Sequence, residues 1–171
     1  MPSPIRLVID TNVLVPGIVG ASANPPAATA SASLIRAWRA GHCTVLVNEE
    51  LLDEYRDVLE RHPFRVPPSE AAWLCSRIAA HATSVDVRRS KPLLTKDPDD
   101  DFILKLAVAG KANFLVTSNA KDFAEVAALR GGTSDLRYRG VQVVGLGACL
   151  AAIRTNDPEA ESAMRRLRGW T

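Results

Sequence analysis

Asp10 stands at the end of Ile5-Arg6-Leu7-Val8-Ile9, an almost unbroken apolar run. A capping or turn role explains a carboxylate there as readily as a chemical one. Glu54 raises the same question. On a helical wheel it lies beside the apolar stripe of Leu51, Tyr55 and Val58, whereas Glu50, Asp53, Asp57 and Glu60 project further towards solvent. A carboxylate at the border of an apolar face needs a partner, and a surface salt bridge is the plain reading. Asp97, Asp99, Asp100 and Asp101 form a cluster ahead of a helical run. One or two of them suffice to cap a helix, and four together repel one another unless a cation neutralises them. Asp100 projects on the side of Ile103, Leu104 and Ala107, with Asp101 the next candidate. Asn119 and Asp122 follow a further apolar segment as Asp10 follows the first, and capping fits either. Converging carboxylate and amide oxygens suit a hard cation such as Mg2+ or Mn2+. His42, His62 and His81 stand apart from these motifs, which argues against zinc.

These residues need elements to bring them together. Ile5–Ile9, Thr44–Val47, Asn113–Thr117 and Val141–Val144 read as buried strands, and Val85–Val87 as a short one. Gly17–Pro26 reads as a soft connection, with Pro25 and Pro26 able to start the helix that Gly41 ends. Asn48 suits the cap of a helix from Glu49 to Pro63, and Pro67, Pro68 and Ser69 open another, ending near Thr83. Further helices are expected over Ile103–Ala109, from Asn119 to about Leu129, and over Leu146–Ile153, with a turn at Gly131, Gly132 and Ser134. Strands alternating with helices predict a three-layer α/β/α sandwich around a mainly parallel sheet. In such a fold ligands bind beyond the carboxyl ends of the strands, where Asp10 and Asn119 fall.

The 171 residues suit one domain, expected over 1–154, with 155–171 as a peripheral helix or tail. Hydrophobic residues at 47% and charged residues at 23% argue against large-scale disorder. A net charge of +2 excludes bulk basicity as an argument for nucleic acid but leaves room for a local basic rim. At 5% aromatic residues, a base-stacking platform is a poor fit. No apolar run reaches the roughly 18 residues of a membrane span, and the first nine residues lack the core of a secretory signal. Cys43, Cys75 and Cys149 are too scattered for a disulfide framework and read as buried thiols of a cytoplasmic protein. Neither phosphate-cradling glycine motif, GxxxxGK[ST] or GxGxxG, is present.

Read in order, LVIDTNVLV, NEELLDEYRDVLER and DPDDDFILKLAVAGKANFLVTSNAKDF resemble the sequence blocks of PIN-domain ribonucleases. The similarity runs from Ile5 to about Ile153 and is greatest to a branch of toxin components of type II toxin–antitoxin systems. The family's first acid falls on Asp10, followed by Thr11 and Asn12, its glutamate on Glu54, and its third acid on Asp100, or on Asp101 if the register differs by one. The fourth position departs from the commonest pattern: Asn119 stands where many members have Asp, with Asp122 three residues on. Asn adds no negative charge, which leaves the number of bound metals open.

The resemblance implies hydrolysis of RNA phosphodiesters by a water that Mg2+ or Mn2+ activates. Asp10, Glu54 and Asp100 would hold the ion, with Asp122 near a second. Thr11, Asn12 and Thr117 would orient ligands or water. RNA approaching an acidic site needs a basic rim; Arg88, Arg89, Lys91, Lys96 and Lys121 are candidates by nearness in sequence, although each also fits an ordinary solvated surface. The resemblance further implies a cognate antitoxin and often a homodimer. The alternative is a catalytically weak RNA- or protein-binding module on the same fold, for which Asn119 is the best support.

Overall fold

The computed structural model describes residues 2–88, 98–123 and 137–166, and the side chains of 98–100, 121 and 122 lie outside the description. The apolar run Ile5–Ile9 forms β1, with Leu7, Val8 and Ile9 wholly buried. Then follow α1 (Thr11–Ser22), α2 (Ala30–Arg39), β2 (Cys43–Val47), α3 (Glu49–Glu60), α4 (Pro68–His81) and β3 (Thr83–Ser84). After these come α5 (Pro98–Ala109), β4 (Phe114–Val116), a 3-10 turn (Ala120–Phe123), β5 (Arg137–Tyr138), β6 (Val141–Val144), α6 (Leu146–Asn156) and α7 (Ala160–Arg165).

The strands form one sheet in the order β3-β2-β1-β4-β6-β5. All neighbours are parallel except the β5–β6 hairpin at one edge. From β1 the chain steps outward to β2 and β3, then crosses back to β4. Right-handed crossovers therefore place α1 to α4 on one face and α5 on the other, which gives the three-layer α/β/α fold. In register, Ile9 lies opposite Val116, and Val116 opposite Val144, so three central strands end level with one another. No helix among the described residues is long and apolar enough to cross a membrane.

Three local expectations change. The stretch read as soft from Gly17 onward is mostly helix, since α1 runs to Ser22 and contains Pro16. Gly and Pro disfavour helix, but Val13, Leu14, Val15, Ile18 and Ala21 are all buried, and that burial overrides local preference. Gly17 permits the close approach to α2: a Cβ there would lie 2.8 Å from the Ser31 carbonyl oxygen. Secondly, α2 is started not by Pro25 or Pro26 but by Thr29, whose hydroxyl accepts from the Ala32 amide at 3.2 Å. Gly41, at φ +86°, follows its end. Thirdly, β3 occupies Thr83–Ser84 rather than Val85–Val87, although the Val85 amide still bonds the Val47 carbonyl. The expected helix from Asn119 to Leu129 is described only as the turn to Phe123; its remainder, and the turn at Gly131, Gly132 and Ser134, lie outside the described residues.

Candidate active site

Backbone pairing carries straight into the site. The Asp10 amide donates to the Val116 carbonyl at 2.8 Å, and the Thr117 amide to the Val144 carbonyl at 3.0 Å. Asp10 sits at the N-cap position of α1, yet its side chain does not cap the helix. Its Oδ2 accepts instead from the Thr117 hydroxyl at 2.7 Å and from Asn12 Nδ2 at 3.0 Å. Thr117 is wholly buried. Its oxygen also accepts from the Asn119 amide at 3.1 Å and from Asn12 Nδ2 at 3.3 Å. A hydroxyl has one proton to give and two lone pairs, so these bonds saturate it and fix which way the proton points. Asn12 closes the group by accepting from the Ser118 amide at 3.1 Å. Asp10 Oδ1 accepts no hydrogen bond from the described residues, which leaves that oxygen for an external partner.

Glu54 arrives from α3, whose start Asn48 caps by accepting from the Leu51 amide at 3.0 Å. It accepts a hydrogen bond from the Thr11 hydroxyl. The next residue, Tyr55, is fully buried and donates its hydroxyl proton to the Ile9 carbonyl. Two successive residues of α3 thus grip the chain on either side of Asp10. Burial drives the Tyr55 hydroxyl well above its ordinary pKa, and the charges of Asp10 and then Glu54 add to the effect. Both carboxylates therefore act on one buried group and stand at the same edge of the sheet. In the sequence Tyr55 reads only as core; its polar end, one residue after an acid at the border of the stripe, was the available signal.

The other candidates are placed less closely. Asp100 lies in the first turn of α5 with its side chain outside the description. Asp101 is partly buried, and its carboxylate meets Lys105 Nζ at 3.3 Å. Asn119 is exposed just beyond Thr117. Lys121 and Asp122 belong to the 3-10 turn, their side chains outside the description. Arg89, Lys91 and Lys96 lie outside the described residues. Arg88 is exposed and bonded to Asp86 at 2.8 Å, which holds the Asp86 carboxyl down at about 2.

Among the described residues no group of three His, Cys, Asp or Glu side chains could hold a metal ion. The described pair, Asp10 with Glu54, does fit one side of a divalent oxygen-ligated site. The donors are hard oxygens, and the hydrogen bonds described to both carboxylates come from neutral hydroxyl or amide groups.

A PIN domain family model matches residues 6–121, more than half of the sequence. The chain belongs to the PIN-domain family. PIN domains are generally nucleases that act on RNA and typically use divalent metal ions. The match takes in Asp10, Glu54, Asp100, Asp101, Thr117 and Asn119, and stops one residue before Asp122. No curated protein and no solved structure gave a match.

Proposed function

We propose that this PIN domain is a Mg2+- or Mn2+-dependent endoribonuclease and the toxin of a toxin–antitoxin pair. The observation that supports the nuclease reading is that Thr117 and Asn12 hold Asp10, and Thr11 holds Glu54, at the carboxyl edge of the sheet. In this reading Asp10, Glu54 and Asp100 hold the ion, with Asp101 as the alternative third acid and Asp122 beside a second position. When bound, such an ion acidifies water and offsets the charge that builds on the phosphate. The chain's own contribution is orientation. Thr117 and Asn12 hold one oxygen of Asp10, which would leave the other to meet an ion, and Thr11 holds one oxygen of Glu54. Water attacks phosphorus, the bond to the 3′ oxygen breaks, and that oxygen leaves with a proton, giving 5′-phosphate and 3′-hydroxyl ends.

Arg88, Arg89, Lys91, Lys96 and Lys121 are proposed to meet the RNA backbone, which requires Arg88 to exchange Asp86 for phosphate. A cognate antitoxin, a homodimer and a cytoplasmic location belong to the same proposal; a small partner gene beside this one would support the toxin assignment. The second reading, a catalytically weak binding module, rests on Asn119, which supplies no charge where an acid would.

The deciding experiment is cleavage of a mixed RNA pool by purified protein in EDTA, Mg2+ and Mn2+. Asp10→Asn and Asp100→Asn are run in parallel. Metal-dependent cutting lost in both variants, with the fold retained, is the expected result. Cutting by both variants at the normal rate overturns the site. No cutting by the folded, partner-free protein in any metal favours the binding module.

A further inference from the structure

Strand β4 ends at Val116, and Thr117, Ser118 and Asn119 carry the chain on to the 3-10 turn that starts at Ala120. Thr117 is buried, whereas Ser118 and Asn119 are exposed. Their backbone is nonetheless held. The Ser118 amide donates to Asn12 Oδ1 at 3.1 Å, and the Asn119 amide to the Thr117 hydroxyl oxygen at 3.1 Å. The same two side chains hold Asp10, Asn12 from Nδ2 at 3.0 Å and Thr117 from its hydroxyl at 2.7 Å. The Asn119 amide nitrogen therefore lies within two hydrogen-bond lengths of Asp10 Oδ2. Wherever Asp10 is set, residues 118 and 119 are set with it.

Exposed Ser and Asn side chains in a turn are ordinary surface, and an Asn ahead of a helical turn suits a cap. Neither role requires the backbone of both residues to be tied to the groups that orient a carboxylate. Among the described residues neither side chain makes a hydrogen bond. The result is a pair of neutral polar side chains, open to solvent, on a backbone fixed relative to Asp10. Such prior positioning is what a substrate contact beside a reacting centre needs. The chemistry of the pair narrows what it contacts. A serine hydroxyl and a carboxamide each offer both donor and acceptor capacity. A phosphate oxygen only accepts, and strand phosphates are the ordinary partners of Lys and Arg. A ribose 2′-hydroxyl both donates and accepts, and it is the group by which a protein tells RNA from DNA. Neither Ser118 nor Asn119 carries a charge, so neither repels a strand that must approach Asp10 and Glu54.

We propose that Ser118 and Asn119 form a recognition site for a ribose 2′-hydroxyl of the bound strand and so select RNA over DNA. The proposal rests on the reading of the acidic edge as the place where a strand is cut, but binding alone tests it. The full chain is titrated with two single-stranded pools of the same mixed sequence, one of ribonucleotides and one of deoxyribonucleotides, with uracil in both. Ca2+ replaces Mg2+, and the strands are shown to stay intact. The wild type should hold the ribose pool about three- to tenfold more tightly, as for one hydrogen bond gained. Asn119→Ala should lose most of that preference through weaker RNA binding, with affinity for the deoxyribose pool unchanged. Ser118→Ala should lose part of it in the same way. Both variants keep the backbone amides that Thr117 and Asn12 accept, so both should keep the wild-type unfolding midpoint, and either one decides the matter if the other is unstable. Equal weakening of both pools would point to phosphate or base contacts and overturns the proposal. So does a preference that neither variant changes, or a wild type that shows no preference or binds neither pool. Failure of the nuclease reading shows separately, as absent metal-dependent cutting, and leaves the ratio of the two affinities measurable.

Discussion

The Thr117 hydroxyl has one proton and directs it at Asp10, while both its lone pairs are occupied by Asn119 and Asn12. Thr117→Val keeps the shape and removes that proton. Asp10 then loses one of its two described donors, and the Asn119 amide loses its acceptor. Stability should fall by about 1–3 kcal/mol, as for a buried polar group left unpaired. Cleavage should fall about 10–100-fold, the usual cost of removing a group that orients a metal ligand. Raising the Mn2+ concentration should recover part of the rate if the loss lies in metal affinity. A normal rate at low Mn2+ would show that Asp10 needs no such support. Tyr55→Phe isolates the other grip. It leaves Glu54 and Thr11 in place and strips the Ile9 carbonyl of its side-chain donor. A lower unfolding midpoint, corresponding to about 1–3 kcal/mol, is expected, with a weaker Mn2+ affinity because Asp10 and Glu54 are no longer tied to one spacing. An unchanged metal titration would reduce Tyr55 to a core residue.

At the scale of elements, α1 shows why sequence periodicity succeeds in one place and fails in another. The strands around Leu7, Val45, Leu115 and Val143 are legible because a two-sided burial leaves continuous apolar runs. The helix α3 is legible because one face is wet and the other dry. Neither contrast exists in α1, where Pro16, Gly17 and Gly20 are local breakers and helix is imposed by packing against α2. The site follows the same division. Asp10 and Glu54 could be read from their positions beside apolar segments, but not the bonds by which Asn12 and Thr117 hold the first and Thr11 holds the second. The bond from Thr117 to Asp10 depends on β1 and β4 ending level, and register is a product of the whole sheet. Strand β5, two residues long, carries too little pattern to be read at all. Gly17 gives a direct test of the packing argument. In Gly17→Ala the new methyl would lie 2.8 Å from both Ile35 Cγ1 and the Ser31 carbonyl oxygen. Backbone cannot yield as a side-chain tip does, so overpacking by about 1–3 kcal/mol should outweigh the gain in helix preference. Chemical denaturation should therefore show a lower midpoint with an unchanged slope. A stabilised variant would mean that α1 and α2 stand further apart.

For the whole molecule, the question is where the folding unit stops. The family match ends at 121, and the sequence pattern suggests a unit ending near 154 with a peripheral remainder. Several contacts bind part of that remainder to the core. Ala160 and Met164 are buried, the Met164 carbonyl accepts from Arg36, and Asp157 accepts from His42 Nδ1 at 2.7 Å. The His42 bond is the chief cause holding the Asp157 carboxyl below its ordinary pKa. Each contact crosses from the end of the chain to α2 or the turn after it. Met164→Ala tests whether this segment is part of the fold or merely rests on it. Met164 is 2% exposed on a helix of only six residues, which has no means of standing alone. If α7 belongs to the cooperative unit, the truncation should cost about 2–5 kcal/mol, the range for removing a buried methionine side chain. The whole unfolding transition should then move as one, whether followed by far-ultraviolet dichroism or by tryptophan fluorescence. If α7 is a separable appendage, the main transition stays where it is, and only exchange of the amides in 160–166 speeds up.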